Sequence, residues 1–153
     1  MKFNPIAQSS LAVLLLTFVP VHSFAATAPE APYCIAVNGG FGNGGTTFVA
    51  RNFSLPEASK CTPWSGYTKT ASTVILTTNG TGCLSSDGKV LTISVMNADP
   101  SFFGAGQARA DYIRLSRPTT TQKFTGQDSG FFGGSAAPVT CSSTLLHLPD
   151  THD

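Results

Sequence analysis

Between Thr70 and Met96 the chain alternates β-branched and polar residues in a way that suits strands. Thr70-Ala-Ser-Thr-Val-Ile-Leu-Thr-Thr78 is followed by Asn79-Gly80-Thr81-Gly82, then Cys83 to Gly88, then Lys89-Val-Leu-Thr-Ile-Ser-Val-Met96. Leu91, Ile93 and Val95 alternate with Thr92 and Ser94, the period of a strand with one buried face. Asn-Gly and Asp-Gly supply the positive φ angles of tight hairpins, so the stretch predicts an antiparallel meander with turns at Asn79-Gly80 and Asp87-Gly88.

The same pattern extends outward. Tyr33–Val37, Thr46–Leu55, Arg109–Ser116 and Val139–Leu148 read as further strands. Asn38–Gly45, Thr62–Tyr67 and Phe124–Ser135 read as Gly- or Pro-rich loops, and Glu57–Lys60 as a brief helical turn. No segment from Thr27 onward sustains a 3.6-residue period. About seven to eight short strands with Gly and Pro punctuation predict an all-β fold, an antiparallel β-sandwich or flattened barrel.

At the N-terminus Lys2 precedes an apolar run from Leu11 to Val19 and small residues around Ala25, the order of a secretory signal peptide over residues 1–25. The run is shorter than the roughly 20 residues of a membrane span. A Pro- and Ala-rich leader over 26–32, a single β domain over 33–149 and a polar tail over 150–153 complete the predicted organisation, with a secreted or periplasmic destination. Charged residues make up only 11% of the chain. Without Lys2 the formal charge is near zero, which gives no basic stripe for nucleic acid or an anionic membrane. The four cysteines, Cys34, Cys61, Cys83 and Cys141, all follow the signal segment. Their wide spacings do not suit zinc, so they predict two disulfides, with three pairings open.

Candidate chemistry is sparse. Gly126-Gln-Asp-Ser-Gly130 resembles the segment around the nucleophile of chymotrypsin-like serine proteases over these five residues. That family places its histidine and aspartate before the serine, whereas His147 and His152 follow Ser129 here. A convergent triad would combine Ser129, His147 and Asp111; otherwise Asp-Ser-Gly is an ordinary turn. His147, Asp150 and His152 could ligate a transition metal, though on a tail that positions them poorly. Glu57, Asp87, Asp99, Asp111 and Asp128 are scattered, with no pair for glycoside hydrolysis. The Asn38–Gly45 loop lacks the Lys-Ser/Thr end of a phosphate cradle, and no cofactor is expected.

Aromatic residues in the loops form the better lead: Phe41, Trp64, Tyr67, Phe102, Phe103, Phe131 and Phe132. Gathered at one end of a β scaffold they would make a patch for a carbohydrate or an apolar ligand; folded inward they would plug the core. Trp64, with a flat apolar face and one donor, is the leading contact. The resulting expectation is a binding or structural module, with two alternatives. One is a small hydrolase built on Ser129 and His147; the other is a surface subunit that assembles through exposed strand edges.

Overall fold

The computed structural model describes residues 32–39, 45–71 and 75–146. The expected signal segment, Phe41, His147, Asp150 and His152 lie outside them. Eight strands follow one another as β1 (Tyr33–Asn38), β2 (Thr46–Ala50), β3 (Cys61–Thr70), β4 (Ile75–Leu84), β5 (Val90–Ala98), β6 (Ala108–Ser116), β7 (Thr125–Asp128) and β8 (Gly134–Val139). Each pairs antiparallel with its sequence neighbours, and β8 returns to β1, so the sheet closes into an up-and-down barrel. Two one-turn helices stand outside the sheet: α1 (Pro100–Phe103) between β5 and β6, and α2 (Ser143–Leu146) after β8.

Strand alternation sorts the side chains. Ile35 and Val37, Phe48, Leu76, Leu91, Ile93 and Val95, and Ile113 and Leu115 all point inward and are fully buried. Thr92, Ser94, Tyr112 and Arg114 point outward. The apolar side faces in, the inverse of an outer-membrane barrel, whose apolar band faces lipid. Among the described residues no helix is long and apolar enough to cross a membrane.

The interior is a packed core. At the mouth where the chain enters, Phe53 follows β2 and turns into the barrel, where its ring stacks at 5.0 Å on Trp64 and at 5.3 Å on Tyr33. Gly82 opposite makes this possible, because a Cβ there would stand 2.6 Å from the Phe53 ring. Thr46–Leu55 is therefore not one strand: pairing stops at Ala50 so that Phe53 can close the end.

Four further expectations change. Thr62–Tyr67 is not a loop but part of β3, so Trp64 lies inside the barrel, with 1% of its surface exposed. Asn79-Gly80 is not a turn; β4 runs straight through it, pairing Asn79 with Ser65 and Met96. The chain reverses earlier, between Thr70 and Ile75. At Asp87-Gly88 the turn stands as expected: Gly88 has φ 68°, and the Ser85 hydroxyl donates to Asp87 at 2.6 Å. Cys141 falls beyond the last strand, which ends at Val139, and Phe124–Ser135 contains the short β7.

The cysteines form two disulfides, Cys34–Cys141 and Cys61–Cys83. The second joins directly opposed residues of β3 and β4. The first ties the segment after β8 across the outside of the barrel. There Cys34, Val49 and Tyr67 form a small outer cluster covered by Cys141 and Leu145, and the Tyr67 hydroxyl donates to the Leu145 carbonyl. Two disulfides are compatible with an extracellular protein.

Candidate functional site

The two mouths of the barrel differ in chemistry. At the mouth bearing α1 and the β7–β8 loop, the interior is polar. Asn97, in phase with Ile93 and Val95, takes hydroxyl hydrogens from Thr68 (2.9 Å) and Thr78 (2.8 Å) on its Oδ1. Its Nδ2 donates to Asp111 Oδ2. The other Asp111 oxygen accepts the Phe132 amide at 2.9 Å. Asp128, from β7, accepts the amides of Gly130 and Gly133 at 2.9 and 3.2 Å. With Ser129 donating to Tyr112 O and Phe131 to Ala110 O, each backbone N–H from Ser129 to Gly133 has an acceptor.

Asp111 is fully buried, and burial is the main reason that its carboxyl is pushed up to about 8. The Phe132 amide acts in the opposite direction, while the hydrogen bond and charge of Asp128 push it up further. The carboxylates that looked scattered in the sequence thus include one buried pair, Asp111 and Asp128, beneath the loop. Asn97 and the two threonines supply further polar partners, and Phe132, 1% exposed, packs edge-on to Phe48 at 5.9 Å.

Above the pair, the rings of Phe102, Phe103, Phe131 and Phe132 form a ladder with successive centroids 4.9, 5.3 and 5.1 Å apart. The structure brings these four candidate contacts together at one mouth. Phe132 is the inner plug, Phe103 and Phe131 are half-buried, and Phe102 is exposed. Arg109 lies over the Phe103 ring. Trp64 and Tyr67 belong elsewhere: Trp64 stacks near the opposite mouth, and Tyr67 is buried on the outer wall beneath Leu145. Trp64 Nε1 is buried and, among the described residues, without a hydrogen-bond partner.

Ser129 and Asp111 occupy different environments. The Ser129 side chain is exposed and its hydroxyl donates to Tyr112 O at 3.3 Å, whereas both Asp111 oxygens are engaged inside the barrel. His147 lies outside the described residues, as do the other tail ligands Asp150 and His152. No group of three His, Cys, Asp or Glu side chains suited to a metal occurs among the described residues.

The opposite mouth carries an open groove of roughly 530 Å³. Four segments build it: Tyr33 at the start of β1, Leu55 after the Phe53 plug, the connector from Arg117 to Phe124, and Pro138–Thr140 at the end of β8. Arg117 continues the inward phase of Ile113 and Leu115 one step past the end of β6. Its Nε donates to Gly88 O at 2.9 Å, and its guanidinium covers the Phe124 ring at 4.3 Å. Burial raises the Tyr33 phenol above its usual value, against the pull of the nearby Arg117 charge, so Tyr33 remains a neutral donor at neutral pH.

Leu55 and Val139 expose apolar surface on the groove rim. None of these residues stands out in the sequence as a binding candidate, because they lie far apart in the chain and carry no motif. Only the phase of Arg117 with Ile113 and Leu115 hinted that this cation belongs to the mouth.

The molecule is thus an eight-stranded up-and-down β-barrel with a filled interior and a groove at the Tyr33 mouth. Comparison with protein-family models, curated proteins and solved structures finds no match.

Proposed function

We propose that this protein is a recognition module that holds a small ligand in the groove at the Tyr33 mouth. The observation that carries the reading is the groove itself. It is concave, falls within the roughly 300–1,000 Å³ range usual for ligand pockets, and combines apolar lining with a few convergent polar groups. Its walls are also well held. The Cys34–Cys141 disulfide lies next to both Tyr33 and Thr140, and the Phe53–Trp64–Tyr33 rings close the barrel behind it. A preorganised wall reduces the ordering that binding must impose. Export, as the disulfides and the N-terminal pattern suggest, would place such a module outside the cytosol.

This site replaces the aromatic loops as the leading binding surface. Two of the rings once favoured for contact, Trp64 and Phe132, are buried in the core. The edge-pairing alternative has less to build on, because every strand of the closed barrel has a partner on both sides. The test is amide chemical-shift mapping of the oxidised protein against a small-molecule fragment library. Shifts concentrated at Tyr33, Leu55, Arg117–Phe124 and Pro138–Thr140 are the expected result; shifts confined to α1 and the β7–β8 loop would move the site to the other mouth.

A further inference from the structure

We infer that the ligand of this groove is an amphiphile with one anionic head, the head held by Arg117 and Lys123 and the apolar part lying over Leu55, Pro138 and Val139. The inference rests on the groove being the binding site and adds the chemical class of its occupant.

Charge complementarity is the first argument. The groove lining contains two cations and no Asp or Glu. Among the described residues the ion pair lies elsewhere, between Lys60 and Glu57 at 2.7 Å, so no carboxylate there neutralises Arg117 or Lys123. Arg117 uses its Nε on Gly88 O, and its guanidinium is positioned over Phe124. The terminal N–H groups of Arg117 are therefore oriented by the fold and left for an acceptor, the arrangement that favours a planar carboxylate or a phosphate oxygen.

The second argument is the partition of surface. Leu55 and Val139 are each 40% exposed, and both border the groove beside Pro138, so the apolar surface there is contiguous with the cations. A purely inorganic anion would leave that surface uncovered. An uncharged apolar ligand would leave the cations desolvated without a partner, at a cost. A ligand with a charged end and an apolar end satisfies both. Tyr33, kept neutral, can donate a further hydrogen bond to the head.

The experiment is calorimetric titration of the oxidised full chain with four probes: sodium decanoate, decyltrimethylammonium, decyl glucoside and inorganic phosphate. The fluorescence of Trp64 gives a second readout, because its ring lies 6.3 Å from that of Tyr33 in the groove wall. Decanoate is expected to bind saturably and at least about tenfold more tightly than the other three. Lys123→Glu, an exposed substitution that leaves packing intact, should weaken decanoate about tenfold or more, and Arg117→Gln should do the same. If Arg117→Gln fails to fold, Lys123→Glu carries the test alone.

Equal binding of decyl glucoside or decyltrimethylammonium, or decanoate binding unaltered by Lys123→Glu, would overturn the anionic class while leaving the groove as a binding site. Phosphate binding as tightly as decanoate would overturn the amphiphile. If no probe bound and fragment mapping also failed to find the groove, both this inference and the recognition module would fall.

Discussion

Asp111 and Asp128 meet inside the barrel, with the Phe132 amide on one carboxyl and the Gly130 and Gly133 amides on the other. Ionisation of Asp111 is opposed first by its burial and then by the neighbouring Asp128. Folding stability should therefore depend on pH. Asp111 is raised from 3.8 in the unfolded chain to about 8, so between those values the folded state holds a proton that the unfolded state releases. The stabilisation is complete below about pH 4 and declines as pH rises, at up to about 1.4 kcal/mol per pH unit, levelling off above about 8. Asp87 and Asp99 are shifted the other way, chiefly by the hydroxyls of Ser85 and Ser101, and act only at lower pH. Urea midpoints measured from pH 4 to 9 should fall through this window. In Asp128→Asn, which removes the neighbouring carboxyl but leaves Asp111 buried, the slope should be reduced and not abolished.

Gly130 keeps the loop on that pair. A Cβ at this position would lie 2.2 Å from the Asp111 Cα and 2.6 Å from Ala110 O, contacts with rigid backbone that cannot yield cheaply. Gly130→Ala should lift the loop, weaken the Phe132 and Phe131 amide bonds and destabilise the fold by about 1–3 kcal/mol. Amide hydrogen exchange at Phe131 and Phe132 should quicken together. Unchanged protection there would mean that the loop is not held through this contact.

Asn97 is the hub of the same network. It connects β5 to Thr68 and Thr78 on β3 and β4 through its oxygen, and to Asp111 on β6 through its nitrogen. Asn97→Leu removes partners from a carboxyl and two hydroxyls at once, each orphaned buried group costing roughly 1–3 kcal/mol. Because the Thr68 and Thr78 hydroxyls lie 2.7 Å apart, one can donate to the other once Asn97 is gone, so the loss should fall well short of the full sum. Denaturation midpoints of Asn97→Leu and of the triple variant with Thr68→Val and Thr78→Val measure this. The triple variant should recover part of the loss, since it removes the orphaned hydroxyls as well as their partner.

Much of this architecture was legible in strand parity. Leu91, Ile93 and Val95 announced the buried face of β5, and Ile113 and Leu115 that of β6. Carried two residues further, the same parity places Asn97 and Asp111 inside the barrel, a step that scanning for motifs or local carboxylate pairs does not take. Asp111 and Asp128 are distant in sequence and become neighbours only because β6 and β7 pair with Ile113 opposite Asp128. Local turn chemistry succeeded at Asp87-Gly88, where Ser85 and Asp87 close the turn, and failed at Asn79-Gly80. There Gly80 serves close strand packing: a Cβ would stand 2.0 Å from Ser94 O. The Pro63-Trp64 segment read as a loop because proline lacks a donor, yet β3 beyond Ala50 of β2 no longer needs that donor for strand pairing on one side. The groove was invisible because it is assembled from four separated segments.

The disulfides should differ in their worth. Cys61–Cys83 spans 22 residues within a hairpin already paired along its length, while Cys34–Cys141 spans 107 and joins the two ends of the barrel domain. Loop-closure entropy alone gives about 3 kcal/mol for the shorter crosslink and about 4.7 for the longer. The longer also fastens the segment that carries Leu145 over Val49 and Tyr67, and Lys69 donates to Thr144 O there at 3.4 Å. Replacing Cys34 and Cys141 by serine should therefore lower the urea midpoint more than replacing Cys61 and Cys83. It should also expose Tyr67, raising its accessibility to nitration by tetranitromethane, whereas loss of Cys61–Cys83 should leave Tyr67 protected. Equal stability losses with Tyr67 protected in both variants would show that the outer segment holds by packing alone. A selective gain in Tyr67 reactivity would identify Cys34–Cys141 as the fastener that keeps this face of the barrel covered.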